Sequence, residues 1–220
     1  MKKLFTLIFI ISGSYMFAQS NETSNGMSFR INGYATYAFD DNRVDSYYSS
    51  SSYFEGKVTG GFQYGGGLEL LPFPKAGIEI FYLRLDSNAP IYYWDNSDEG
   101  FVDFDLAQNW LMLSFNKYLA LSPRFEPYGG AQVGMNIINV SDPESLYTNR
   151  ATKMAWGIKL GLNAWANDVV GIKLQASLLS TIQGVGGGLY FGTGGVGAGL
   201  SGYSSYYQFN IGGGLVVKIR

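Results

Sequence analysis

The sequence contains no histidine and no cysteine. Without cysteine there is no disulfide framework, no thiol nucleophile and no lipid-modified N-terminal cysteine. Without either residue, zinc sites built from His and Cys are excluded. Acid–base catalysis at neutral pH most often uses a group titrating near 7, and here only a strongly shifted carboxylate or lysine could supply one. The formal net charge of −2 offers no basic face for a nucleic acid. Long apolar runs are missing too. No stretch approaches the ~20 apolar residues of a membrane-spanning helix, so any insertion into a bilayer must use strands.

Glycine and aromatic residues are abundant instead: 30 Gly, 17 Tyr and 15 Phe among 220 residues. Glycine lets strands bend and leaves room in a narrow lumen. Aromatic residues form belts at membrane interfaces. The aromatic and Ile/Leu/Val content argues against a disordered Gly-rich chain. Lys2 and Lys3, followed by the short apolar run Leu4 to Ile11, read as a removable secretory signal. Cleavage after Ala18 fits the small residue required there, and a cut after Ser20 would also serve. The expected organisation is a signal at 1–18, a polar lead-in at 19–27 and one folded unit at 28–220.

That unit alternates with period 2, which places successive side chains on opposite faces of a strand. The clearest case is the last: Tyr207, Phe209, Ile211, Gly213, Leu215, Val217 and Ile219 oppose Tyr206, Gln208, Asn210, Gly212, Gly214, Val216 and Lys218. Strands are expected at about 28–40, 57–71, 76–86, 105–117, 125–138, 153–166, 169–182 and 206–219. The connections alternate in length. Residues 41–56, 87–104, 139–152 and 183–203 read as long loops, and Pro72 to Lys75, Leu119 to Arg124 and Asn167-Asp168 as short turns. An even strand count, an export signal and long loops at one end together predict an all-β fold, an eight-stranded antiparallel up-and-down transmembrane β-barrel with both termini in the periplasm. A soluble lipocalin-like barrel or sandwich is the alternative.

Pro127-Tyr128-Gly129-Gly130-Ala131-Gln132-Val133-Gly134, Trp156-Gly157-Ile158-Lys159-Leu160-Gly161-Leu162-Asn163 and Gly212-Gly213-Gly214-Leu215 carry a family resemblance. On these motifs the chain resembles the small outer-membrane β-barrel proteins of the OmpA/OmpX type, in the form common in Bacteroidota. The resemblance spans nearly all of the mature chain, and its motifs are those of barrel strands, with no active-site signature. It implies the outer membrane of a Gram-negative bacterium, contact with outer-membrane lipid and lipopolysaccharide, insertion by the barrel assembly machinery, and a monomer. Members often end in an aromatic residue, whereas this chain ends Lys218-Ile219-Arg220. Barrel enzymes of the membrane use His as a base or in a dyad. No enzymatic activity, catalytic residue, cofactor, metal or nucleic-acid partner is therefore expected.

Gly192-Thr193-Gly194-Gly195-Val196-Gly197 matches a GxGxxG pattern, but no helical period follows it, and a loop or glycine-bent strand end is expected. Asp40, Asp41, Asp45, Asp95, Asp98, Glu99, Asp103 and Asp105 could attract Ca²⁺ but lack an EF-hand spacing, and read as a solvated surface. The loop aromatics Tyr47, Tyr48, Tyr92, Tyr93 and Trp94 are candidates for an extracellular partner surface or for an extension of the interfacial belt.

Eight strands make an interior narrow enough for side chains to fill. Alternation puts Arg30, Glu69, Glu79, Glu126, Lys159, Lys173 and Lys218 on the inward face. Chain direction places six of them in the periplasmic half and Lys159 nearer the middle. Three carboxylates and four cations nearly cancel, so a hydrogen-bonded ion network closing that half is expected. Phe81, Leu83, Trp110 and Met112 are candidates for an inward apolar patch, either a packed lumen core or a contact for small apolar solutes. Two functions follow: a filled barrel with a structural or surface-interaction role through its loops, and a narrow channel or transporter.

Overall fold

Period-2 alternation carries directly into strands. The computed structural model of the chain describes residues 27–40, 47–49, 52–95, 98–141, 148–182, 188–192, 195–199 and 206–219. Its strands are β1 (Ser28–Ala38), β2 (Tyr47–Ser49), β3 (Ser52–Gly56), β4 (Gly61–Phe73), β5 (Ala76–Asp95), β6 (Asp98–Tyr118), β7 (Phe125–Ser141), β8 (Thr148–Trp165), β9 (Val170–Ile182), β10 (Gly188–Gly192), β11 (Gly195–Gly199) and β12 (Tyr206–Ile219). Eight of them form a closed antiparallel ring, in the order β1-β4-β5-β6-β7-β8-β9-β12 and back to β1. Closure leaves the barrel wall without a free edge, the condition for strands to cross lipid.

The two faces of the wall have inverted polarity. Outward side chains are apolar and exposed: Ile31, Leu68, Ile80, Leu113, Ile158, Leu160, Ile172 and Ile211 form the middle of the belt. Aromatics border it on both sides, with Tyr37, Phe39, Phe62, Tyr64, Tyr82, Trp156, Tyr207 and Phe209 at one level and Phe29, Phe73, Phe115 and Phe125 at the other. Inward side chains are largely polar and buried, among them Asn32, Gln63, Asn116, Gln132, Asn163 and Gln175. A soluble barrel would hide the first set and expose the second. This one is shaped for lipid outside and packed side chains inside.

The two ends differ. At the turn end lie both chain termini of the ring and three short connections. Pro74-Lys75 joins β4 to β5, and Pro supplies the fixed φ such a turn uses. In the connection to β9, the Asn167 side-chain oxygen accepts from the backbone N–H groups of Val169 and Val170 at 2.9 and 2.8 Å, a local Asx turn. The Ser122 hydroxyl does the same for Phe125 at 3.0 Å.

At the other, loop end, all four expected loops hold strand residues. The stretch 87–104 is not a loop: β5 and β6 continue in register to the pair Asp95–Asp98. Alternation persists there with its polarity reversed. Ala89, Ile91, Phe104 and Leu106 are buried inward, while Asp86, Asn88 and Asp105 face out. A high count of polar residues looks like a loop unless that alternation is followed. Stretch 41–56 contains β2 and β3, and β3 adds to β5 beyond the end of β4. Tyr47, Tyr48, Tyr92, Tyr93 and Trp94 thus lie on strands, not in loops. The β7–β8 connection shrinks to residues 142–147, because β7 runs to Ser141 and β8 begins at Thr148. Stretch 183–203 contains the β10–β11 pairing, in which the GxGxxG segment joins two strands with no helix among the described residues. The expected signal and nearly all of the lead-in lie outside the described residues.

Candidate functional site: the filled lumen

Inward glycines decide where large side chains fit. A Cβ on Gly77 would come within 2.2 Å of a Glu69 carboxylate oxygen, and one on Gly67 within 2.6 Å of a Glu79 oxygen. A Cβ on Gly130 would meet the Asn116 amide at 2.5 Å, and one on Gly161 the Tyr128 ring at 2.4 Å. These glycines are the hollows into which the charged and aromatic residues of neighbouring strands project.

The turn-end half of the lumen holds the charged cluster. Arg30 on β1 donates to both Glu126 oxygens across the barrel at 2.9 and 3.0 Å, and the Asn163 amide donates to the same carboxylate at 2.9 Å. Such a fork-to-fork pair fixes orientation as well as charge. The Arg30 guanidinium also lies 4.6 Å over the Tyr118 ring and 5.2 Å over Trp165. Glu79 is fully buried and has four donors. Lys159 Nζ donates at 2.7 Å, Asn32 at 2.7 Å and Asn116 at 3.2 Å, and the Tyr34 hydroxyl donates as well. Asn116 also donates to Glu69 at 2.7 Å, so one amide bridges two carboxylates. The Tyr118 hydroxyl donates to Glu69 at 2.5 Å. Glu69 and Glu79 are cross-strand partners, a like-charge juxtaposition that these shared donors offset.

Lys173 stands apart from these carboxylate bonds. Lys173 is fully buried, and its ammonium has no hydrogen-bond acceptor. It sits between the faces of Tyr34 and Tyr128, 5.5 and 4.9 Å from their ring centres, where the ring quadrupoles attract it. Lys218 lies 3.7 Å over the Trp165 ring near the turn-end rim. The structure thus brings Arg30 to Glu126 and Lys159 to Glu79. It leaves Glu69 to neutral donors and surrounds Lys173 with aromatic faces.

Above this cluster Phe81, Leu83, Trp110 and Met112 all face inward and pack with Tyr34, Ala155 and Leu179. Lys159 Nζ lies 4.9 Å over Phe81, where the charged and apolar clusters meet. A second apolar cluster of Ala89, Ile91, Phe104, Leu106, Ile138 and Val140 lines the inner face of the sheet that extends past the barrel. Sequence reasoning centred on formal charge overlooked Asn32, Tyr34, Asn116, Tyr118 and Tyr128, which supply the neutral donors and ring faces. Their signal was available, since each lies on the inward phase of its strand's alternation.

No protein-family model matches the sequence, and no curated protein matches it. Solved structures do. The chain is similar to Neisserial surface protein A, with a TM-score of 0.57 and 15% identity over 89% of this chain and 100% of that one. It is also similar to the outer membrane protein OprG from Pseudomonas aeruginosa, with a TM-score of 0.54 and 14% identity over 88% of this chain and 96% of that one. At such identities the likeness is one of fold. The fold is that of the small eight-stranded outer-membrane β-barrels, consistent with the OmpA/OmpX type.

Proposed function

We propose that the protein is a non-enzymatic barrel of the Gram-negative outer membrane, with a lumen occluded by side chains and a surface-interaction or structural role at its loop end. The single observation that carries this reading is the filled lumen. Glu69, Glu79, Lys159, Lys173, Trp110, Met112 and Leu179 are each at most 2% exposed, so side chains occupy the space a pore would need. The exposed apolar belt and its aromatic borders support a site in lipid, with lipopolysaccharide as its outer neighbour and the barrel assembly machinery as its means of insertion. In this reading the turn end faces the periplasm and the loop end faces the medium. The β3–β5–β6 sheet standing beyond the barrel then offers a firm platform to an extracellular partner. It is stiffer than a loop, because its backbone is paired and its inner face is packed.

The second reading, a narrow passage for small apolar solutes, draws on the inward apolar residues Phe81, Leu83, Trp110 and Met112. These same residues pack against one another, and that favours the filled barrel. A planar-bilayer recording of the refolded protein tests the choice. Rare or absent openings are expected, and steady unitary currents would establish the channel instead.

A further inference from the structure

Among the fully buried charged groups, Glu69 and Lys173 have no direct counter-ion, whereas Arg30 holds Glu126 and Lys159 holds Glu79. Glu69 uses one oxygen to accept from Asn116 and Tyr118, and its second, Oε2, has no protein partner. Lys173 Nζ has no acceptor. Both residues are at most 1% exposed.

These two atoms belong to a closed ring of side chains that holds three more orphaned atoms, Arg30 Nε, Asn32 Oδ1 and Asn163 Oδ1. Asn163 is the register partner of Lys173, and its amide donates to Glu126, which Arg30 holds. Arg30 is the register partner of Glu69, and Glu69 is that of Glu79. Asn32 donates to Glu79. Tyr34 closes the ring, since its hydroxyl donates to Glu79 and its face lies 5.5 Å from Lys173 Nζ. On the other flank the Tyr128 face lies 4.9 Å from the ammonium. Its centre is 5.6 Å from that of Tyr118, whose hydroxyl donates to Glu69.

The chemistry of the five atoms selects their occupant. Arg30 Nε and Lys173 Nζ can only donate, and Asn32 Oδ1, Glu69 Oε2 and Asn163 Oδ1 can only accept. An anion here would be repelled by Glu69, and a metal cation by Arg30 and Lys173. Water both donates and accepts, so it serves the two sets together. Burying a charge unpaired is costly, and a bridging water is nearly as favourable as a direct bond. We propose that Lys173 and Glu69 form a third ion pair of the lumen, joined through enclosed water that also bonds Asn32 Oδ1 and Asn163 Oδ1. Every fully buried charge then has a counter-charge, and the turn-end half is a hydrated salt network. The inference rests on the filled lumen proposed above, since in an open pore bulk solvent would serve these atoms.

Two measurements test it. A crystal structure of the refolded barrel is expected to show water within ~3 Å of Lys173 Nζ, reaching Glu69 Oε2 directly or through a second water. Direct contact between Lys173 and Glu69 overturns the proposal. So does an ammonium with no water against it, or anomalous density for bromide there after a bromide soak. The second measurement is a thermodynamic cycle of Lys173→Met, Glu69→Gln and the double variant, by urea unfolding in phospholipid vesicles. The double variant is expected to lose at least ~10-fold less in the folding equilibrium constant than the two single losses multiplied together. Single losses that multiply to within roughly twofold of the double overturn the bridge. A double variant that folds where Lys173→Met alone does not is the same coupling, and if neither folds the crystal structure decides. Steady current in the wild type refutes the filled lumen separately, and the water and the coupling still decide the bridge.

Discussion

Replacing Glu79 tests whether the charged cluster is held together by its geometry or only by its charge balance. Glu79 and Lys159 have side chains 0% and 1% exposed, with Lys159 Nζ 2.7 Å from Glu79 Oε2. Removing one member of a buried pair typically costs ~3–5 kcal/mol, because the other charge is left without compensation. The two halves of this pair are not equivalent. In Lys159→Met, Glu79 keeps donors from Asn32, Tyr34 and Asn116. Hydrogen bonds to a charged group contribute about 1.5–3 kcal/mol each, so this variant should fall near the low end, about 3 kcal/mol. In Glu79→Met the Lys159 ammonium loses its carboxylate, and three neutral donors lose their acceptor at once. That loss should reach about 5 kcal/mol or more. The double variant removes both charges and leaves only the three donors, roughly 1 kcal/mol each, so it should cost about 3 kcal/mol against about 8 for additive singles. Equilibrium urea unfolding in phospholipid vesicles, followed by tryptophan fluorescence and gel mobility, measures all three. The reasoning fails if Lys159→Met is the more damaging single variant, or if the double variant equals the sum.

Gly77→Ala would drive a Cβ into the Glu69 carboxylate and should cost about 1–3 kcal/mol. Gly33→Ala, whose Cβ has no neighbour closer than 4.0 Å, should be neutral or stabilising by up to ~1 kcal/mol in the same unfolding assay. Leu160 is 69% exposed, and in a soluble protein Leu160→Arg would be harmless; in a bilayer it should destabilise by about 2–4 kcal/mol, and an unchanged midpoint in vesicles would contradict the lipid-facing assignment. Protease treatment of intact cells should cut within 142–147 and spare Asn167-Asp168, whose cleavage would reverse the proposed orientation. Purified protein in detergent should neither hydrolyse phospholipid nor change lipid A acylation, and turnover lost on mutating a single carboxylate would establish an enzyme.

Barrel membership was legible because it depends on a period that sequence displays directly. In β12 the outward Tyr207, Phe209, Ile211 and Leu215 and the inward Gln208 and Asn210 are read off by counting in twos. Inward charges were legible for the same reason. Their pairing was not, since Arg30 and Glu126 are 96 residues apart and meet across the lumen. Period 2 says which face a residue takes, but strand tilt and stagger decide which residues share a level. The cation–π cage around Lys173 was hidden behind a habit of counting tyrosines as girdle residues. Tyr34 and Tyr128 belong to the opposite phase from Tyr37 and Tyr64, and that difference is visible in sequence once the phase of each strand is fixed.

The misread stretch 87–104 carries physical information of its own. Along β5 the outward residues run Ile78, Ile80, Tyr82, Arg84, Asp86 and Asn88, and along β6, from the turn end, Phe115, Leu113, Leu111, Asn109, Ala107 and Asp105. Both series change from apolar to polar at the same level, where Tyr82 hydrogen-bonds Asn109 at 2.6 Å and Arg84 pairs with Asp86 at 2.8 Å. On the inward face the trend is opposite, from Glu79 and Asn116 to Ile91 and Phe104. One pair of strands therefore follows two solvation rules. Below the transition the medium outside is hydrocarbon and polarity goes inward; above it the medium is water and the ordinary soluble pattern returns. From Ala76 to Leu85 is about the 9–11 residues a tilted strand needs to cross a bilayer, which puts the lipid boundary at this transition. Moving that boundary is a direct check: Asp86→Leu together with Asp105→Leu should carry the apolar belt one step outward. A spin label at Asn88 would then show deeper immersion, by its oxygen-to-nickel accessibility ratio, than the same label in the unaltered barrel. An unchanged ratio would mean that packing within the projecting sheet sets the depth, and that the side chains facing the medium do not.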